Sequence, residues 1–224
     1  MRKNYISLFD VIGPIMIGPS SSHTSGAASI AWMSRQILDG EPAKVKFTLY
    51  GSFADTYLGH GTDRALIGGI LGYMPYDTRI PDSYEYAKEA GIEVSFVPDH
   101  ETHMPHPNTV NVEIEAKDGH KLSVRAESVG GGRVRITKIN DIKVNFTGEY
   151  GTIIVHHQDK PGMAAYITGI LSDYNVNIAF MRLFREDKGK NAITIIETDE
   201  YIPMEVAADL RLHRMVTYAD IIEI

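Results

Sequence analysis

Two α+β domains, the first built on a mainly antiparallel sheet and the second on a βαββαβ order, are what this 224-residue sequence predicts. Three observations carry the expectation. Helical periodicity of apolar residues is confined to two stretches before residue 72. Period-two alternation dominates from residue 92 to about 140. Beyond residue 150, strand and helix patterns follow one another as β, α, β, β, α, β, the order of a ferredoxin-like unit.

Taken in order, residues 26–39 place Ala27, Ile30, Ala31, Met33, Ile37 and Leu38 near a 3.6-residue period, a helix that Gly40 and Pro42 stop. Residues 44–50 alternate Val45, Phe47 and Leu49 with Lys44, Lys46 and Thr48, a strand with one buried face that Gly51-Ser52 closes. Residues 63–71 predict a second helix, weakened by Gly68-Gly69 unless a neighbour packs closely there. Residues 92–97, 109–116, 121–129 and 133–139 then read as strands, with Asp118-Gly119 as a hairpin turn between the second and third. The first domain is assigned to residues 1–147 and the second to 150–224. In the second, residues 152–157 form a strand and Pro161-Gly162 opens a helix to Leu171. Strands over 176–185 and 192–198 flank the turn 187–190, Pro203 starts a helix, and 215–224 is the last strand.

Composition narrows the function classes. Apolar residues make up 43% and charged residues 23%, enough for a packed core. The formal charge is −7 and no basic run occurs, which argues against nucleic acid. No apolar stretch reaches the ~20 residues of a membrane span. Asp10, Gly13 and Pro14 interrupt the amino-terminal apolar residues and no small-residue cleavage site follows, so the reading is a cytoplasmic protein with no signal peptide. Cysteine is absent, which excludes disulfides and any thiolate-held zinc or cluster within this chain.

The densest chemical signal is Gly18-Pro19-Ser20-Ser21-Ser22-His23-Thr24-Ser25, just before the first helix. A helix start rich in hydroxyls suits an anion such as a carboxylate, and His23 is suited to move a proton near neutral pH. Ser and Thr also favour N-caps for purely structural reasons. A second signal, Tyr50-Gly51-Ser52-Phe53 followed by Gly59-His60-Gly61-Thr62-Asp63, surrounds a histidine with glycines; Thr62 or Asp63 could cap the next helix. His100, His103 and His106 recur every three residues, but Pro105 and Pro107 imply extended backbone, where that spacing does not gather the rings, so a polar loop is preferred to a metal site. Ser128-Val129-Gly130-Gly131-Gly132 is a turn, a bulge or a nest of N–H groups for an anion. His156 and His157 fall on opposite faces of one strand, one buried and one exposed.

Together the runs GPIMIGPSSSHTSGA, YGSFADTYLGHGTDRALIGGILG, HPNTV and SVGGG, in this order and spacing over residues 8–135, resemble the beta chain of iron–sulfur L-serine dehydratases. The tail resembles an ACT domain, with Asp159-Lys160-Pro161-Gly162 after its first strand. The resemblance implies that serine loses its α-proton and β-hydroxyl to give pyruvate and ammonia. It also implies a 4Fe-4S cluster that acts as Lewis acid and is held by cysteines of a partner alpha subunit, with no metal ligand in this chain. It makes His23 the general base and assigns Ser20, Ser21, Ser22 and Thr24 to the carboxylate and amino group of L-serine. His60, Thr62, His106, Asn108, Gly130 and Gly131 become further substrate-binding candidates, or part of a serine-binding fold shared with a regulatory domain of some phosphoglycerate dehydrogenases. Asp159, Pro161 and Gly162 become an effector site or a self-association surface. Two other classes compete: a free-standing serine sensor without catalysis, which would need no cysteine-bearing partner, and a pyridoxal-phosphate deaminase, for which no lysine stands beside a phosphate cradle.

Overall fold

The computed structural model describes residues 15–222, so the residues behind the signal-peptide reading lie outside it. The chain divides into two compact units, with the boundary between Thr137 and Lys138. The first unit opens with a single π-helical turn, Ser21–Ser25, that runs straight into helix α1, Gly26–Ile37. Strand β1 (Pro42–Gly51) follows, then the short helix α2 (Ser52–Thr56) and helix α3 (Thr62–Ile70). A 3-10 turn at Ile80–Asp82 leads into helix α4, Ser83–Glu89. Strands β2 (Glu93–Asp99), β3 (Asn108–Ala116), β4 (Lys121–Gly130) and β5 (Arg133–Ile139, which runs up to the boundary) make its sheet in the order β2-β1-β3-β4-β5.

The alternation in β1 does what the sequence predicts. Val45, Phe47 and Leu49 are buried with Val110, Val112 and Ile114 of β3 and Leu122, Val124 and Ala126 of β4. Lys44 and Lys46 sit on the other face, where Lys46 pairs with Glu113 of β3. The sheet is mixed rather than purely antiparallel: β2 pairs in parallel with β1, Glu93 opposite Lys44 through Asp99 opposite Tyr50. A parallel neighbour needs a crossover, and helices α2 to α4 supply it. The predicted packing at Gly68-Gly69 is present. A methyl group on Gly69 would overlap the carbonyl oxygen of Ala28 and stand 2.7 Å from both Ala31 Cβ and Trp32 N, so α3 and α1 touch almost backbone to backbone.

Helices α2 and α4 are absent from the periodicity reading because both are too short for a 3.6-residue pattern to emerge. Local signals mark α4: Pro81 and Asp82 at its start, and Gly91 with φ +72° past its end. Gly61, in the left-handed region, occupies the N-cap position of α3 without a side-chain cap bond. The expectation that Thr62 or Asp63 caps this helix is therefore corrected; both are buried inside its first turn.

The second unit contains β6 (Ile142–Phe146), β7 (Gly151–Gln158), α5 (Met163–Asp173), β8 (Phe180–Arg185), β9 (Asn191–Thr198), α6 (Met204–Arg211) and β10 (Val216–Ile222). The antiparallel sheet order β10-β7-β9-β8 is that of a ferredoxin-like fold. Its core packs Ile167 and Leu171 of α5 and Val206 and Leu210 of α6 on Ile153, Val155, Ile196 and Ala219 of the strands. β8 starts at Phe180, four residues later than predicted. Phe180 pairs with Glu197, one residue from the end of β9, and the Ala179 N–H still donates to the Glu197 carbonyl at 3.0 Å, so the residues before Ala179 run past the end of the partner strand. His157 is buried and His156 half-buried. The ring of His157 bridges Thr194 Oγ1 and the carbonyl of Gln158, each at 2.8 Å.

Candidate active site

β1 and β4 end, and β3 begins, at one edge of the first sheet, because Gly51 pairs with Asn108 and Thr109 with Glu127. The glycine turn Gly130, Gly131 and Gly132, all three with positive φ, leaves β4 at this edge. The π-helical turn lies against it as well: a methyl group on Gly26 would overlap the buried hydroxyl of Ser128. Segments far apart in sequence thus converge by sheet register alone.

His23 is the centre of what they build. Its Nε2 lies 2.9 Å from Ser52 Oγ, and its Nδ1 lies 3.0 Å from Ser22 Oγ and 3.5 Å from Ser20 Oγ. Ser20 is the N-cap: its hydroxyl accepts the His23 backbone N–H at 3.1 Å, and its carbonyl accepts the Thr24 N–H at 2.8 Å. Ser21 is half-buried in the same turn and its carbonyl accepts the N–H of Gly26. Thr24 is buried and donates its hydroxyl to the carbonyl of His60 at 2.9 Å, fastening the glycine loop to the turn. The rings of His60 and Phe53 lie 4.8 and 5.3 Å from that of His23, Phe53 meeting it edge-on. Burial pushes the His23 imidazole pKa below its ordinary value, and His60 pushes it further the same way. The site therefore presents a neutral imidazole near pH 7, bracketed by hydroxyls.

Of the residues singled out from the sequence, the structure gathers Ser20, Ser22, His23, Thr24 and His60 directly. Thr62 is fully buried one turn beyond His60; among the described residues its hydroxyl has no hydrogen-bond partner, and neither does Nδ1 of His60. His106 and Asn108 flank Pro107, whose carbonyl accepts the Ser52 N–H at 2.8 Å. His106 Nδ1 accepts the Asn108 N–H at 3.2 Å, so that nitrogen is engaged within its own turn. The loop holding His100, His103 and His106 lines an open cavity of about 410 Å³ with Gly51 and Asp55. His100 Nδ1 sits 3.0 Å from Asp55 Oδ1, and no group of three metal-ligating side chains forms among the described residues.

The residue that sequence reasoning left unassigned is Ser52. Its segment stood out for glycine spacing, but a separation of 29 positions from His23 hides their contact. In the second unit, Asp159 Oδ2 accepts the Gly189 N–H at 2.9 Å and lies 3.3 Å from Arg185 Nη1. The backbone bond, then Arg185, hold its carboxyl below the usual carboxylate range. Pro161 is exposed, and Gly162, with φ +93°, forms the N-cap of α5.

These features define a class: a two-module chain whose first module gathers a half-buried histidine among hydroxyls and whose second is a ferredoxin-like unit. The first module matches the family described as serine dehydratase beta chain over residues 7–139, and the second matches the ACT domain over residues 151–203. This chain belongs to the serine dehydratase beta chain family. It is 42% identical over 195 residues to an L-serine dehydratase beta chain of Peptoniphilus asaccharolyticus, covering 87% of each chain. It is 39% identical over 206 residues to a probable L-serine dehydratase beta chain of Bacillus subtilis, covering 92% of this chain and 93% of that one. A D-3-phosphoglycerate dehydrogenase of Methanocaldococcus jannaschii is 26% identical over 180 residues, 79% of this chain and 33% of that enzyme. No helix among the described residues is long and apolar enough to cross a membrane.

Proposed function

We propose that this chain is the non-cluster subunit of a cytoplasmic L-serine dehydratase, converting L-serine to pyruvate and ammonia together with a cysteine-bearing alpha subunit. The observation that carries the reading is a neutral histidine with hydroxyls at both ring nitrogens, set at the start of a long helix. The hydroxyls of Ser20, Ser21 and Ser22, with the first free N–H groups of the turn, bind the carboxylate and amino group of serine, while Thr24, buried and bonded to the His60 carbonyl, supports them from behind. Anchoring these groups holds Cα–H beside His23, which takes the α-proton; positioning of this kind contributes on the order of 7 kcal/mol at best. Loss of the β-hydroxyl as water leaves aminoacrylate, which tautomerises to an imine and hydrolyses to pyruvate and ammonia. In this reading His60, His106, Asn108 and the Gly130-Gly131 turn surround the bound serine, and Thr62, fully buried, packs behind His60.

This chain's residues do not fit a 4Fe-4S cluster. Cysteine is absent from the sequence, and no cluster of metal-ligating side chains occurs among the described residues. Ligation therefore falls to the partner, and this chain acts on the organic end of the substrate. The ACT domain, through Asp159, Pro161 and Gly162, binds an effector or pairs with a second copy.

The test is anaerobic co-expression with the cysteine-bearing subunit, followed by measurement of pyruvate formed from L-serine. Activity that is lost on exposure to oxygen, and lost in His23→Ala with cluster content unchanged, supports the reading. Wild-type turnover in His23→Ala removes His23 from the chemistry. Deamination by this chain alone removes the partner.

A further inference from the structure

The second unit holds a cavity of about 220 Å³ whose wall includes none of Asp159, Pro161 and Gly162, the residues singled out for an effector surface. We propose that this cavity binds a small α-amino acid, its ammonium held by Asp141 and Glu186 and its carboxylate by the side-chain amides of Asn140 and Asn191.

Strand alternation places the cavity. Val155 and Ile196 belong to the core under α5 and α6, so His156 and its cross-strand pair Ile193 point to the face without helices. Strand β6 covers part of that face. Its Ile142, Val144 and Phe146 are buried. Arg182 of β8, paired with the buried Glu197 at 2.8 Å, also donates to the Asn145 carbonyl at 3.2 Å. The cavity lies between the turn before β6 and the neighbouring ends of β7, β8 and β9. Buried Ile142 and Ile193 with half-buried His156 make its floor, and the exposed Asn140, Asp141, Glu186 and Asn191 make its rim. No lysine or arginine lines it, so its two carboxylates favour an ammonium group. Their present partners are distant: Lys138 stands 3.6 Å from Asp141, and Lys190 stands 4.0 Å from Glu186. Exposed pairs of this kind contribute little, so a ligand ammonium displaces them easily. Asn191 Nδ2 now donates to Glu186 Oε2 at 3.4 Å. An ammonium that takes over Glu186 releases this amide, and amide N–H groups are the donors a carboxylate needs. The volume is below the roughly 300 Å³ at which drug-sized pockets begin, which suits an amino acid with a short side chain.

The full-length chain labelled with 15N-asparagine reports binding without turnover. Titration with L-serine is expected to shift the side-chain amide signals of Asn140 and Asn191 saturably, the signals being identified by their loss in Asn140→Gly and Asn191→Ser. N-acetyl-L-serine, which lacks the ammonium, is expected to leave them in place. Glu186→Gln and Asp141→Asn are each expected to raise the dissociation constant about tenfold, the equivalent of one hydrogen bond to a charged group. Both side chains are exposed, so the fold tolerates these changes. Signals that stay in place across the millimolar range overturn the proposal. So does a response to N-acetyl-L-serine, or an unchanged dissociation constant in either carboxylate variant. Serine that moves the Asn108 signals alone is bound in the first unit, which overturns the proposal and leaves the dehydratase reading standing.

Discussion

Adjacent glycines in α3 ought to respond in opposite ways to one added methyl group. At Gly69 that methyl meets the carbonyl oxygen of Ala28, the Cβ of Ala31 and the backbone N of Trp32, two of them main-chain atoms inside α1. Neither can swing away, so α3 must retreat by roughly an ångström to restore ordinary contact. Overpacking of this kind costs about 1–3 kcal/mol or somewhat more, against about 1 kcal/mol gained from helix propensity when Ala replaces Gly. At Gly68 the nearest atom is Ile80 Cγ1 at 3.0 Å, a side-chain atom that gives way by rotation, so the propensity gain offsets most of the cost. Gly69→Ala is expected to destabilise the first unit by about 2 kcal/mol, and Gly68→Ala to stay within about 1 kcal/mol of the parent. Trp32 is the single tryptophan and sits in α1, so its fluorescence during urea unfolding follows this unit. Because α1 carries the His23 turn and α3 follows the His60 loop, Gly69→Ala should also depress pyruvate formation. Equal midpoints for the two variants would refute the backbone-contact argument.

Further outcomes follow from the same geometry. The lowered pKa of His23 keeps it neutral below the ordinary 6.5, so the acid limb of kcat/KM should lie below pH 6.5. His60→Gln removes the smaller of the two causes and should move that limb, or the NMR titration of His23, upward while leaving it below 6.5. By the same linkage the unfolded chain binds more protons there, so His23's contribution to stability is lost as pH falls below about 6.5, visible as a falling urea midpoint. Tyr84 donates to Asp63 Oδ2 at 3.0 Å, and the carboxylate it serves is buried, with Oδ1 lacking a partner among the described residues. Tyr84→Phe should cost about 1–3 kcal/mol by Trp32 fluorescence in urea; no change would mean that water reaches Asp63. Gly162 has φ +93° with open space around its absent side chain, so Gly162→Val should destabilise the second unit by about 1–3 kcal/mol through backbone strain alone. Hydrogen exchange in α5 and β7 would register the loss. If the ACT domain regulates the enzyme, the serine response of this variant should change at unaltered cluster content.

Much of this molecule is written locally. Alternation in β1, β3 and β4, the Asp118-Gly119 hairpin and the βαββαβ order of the second unit depend on neighbours two to four residues apart, so sequence reading recovers them, with His23 and its hydroxyl turn. The serine, histidine and glycine runs also sufficed to mark the family. Tertiary structure decided what spans long separations. It set β2 parallel to β1, pressed Gly69 onto Ala28, and left Gly61 rather than Thr62 or Asp63 at the N-cap of α3. It also brought Ser52 to the imidazole of His23. The physical reason is that periodicity reports which face of an element is buried, whereas sheet register and helix contact choose which distant residue it meets.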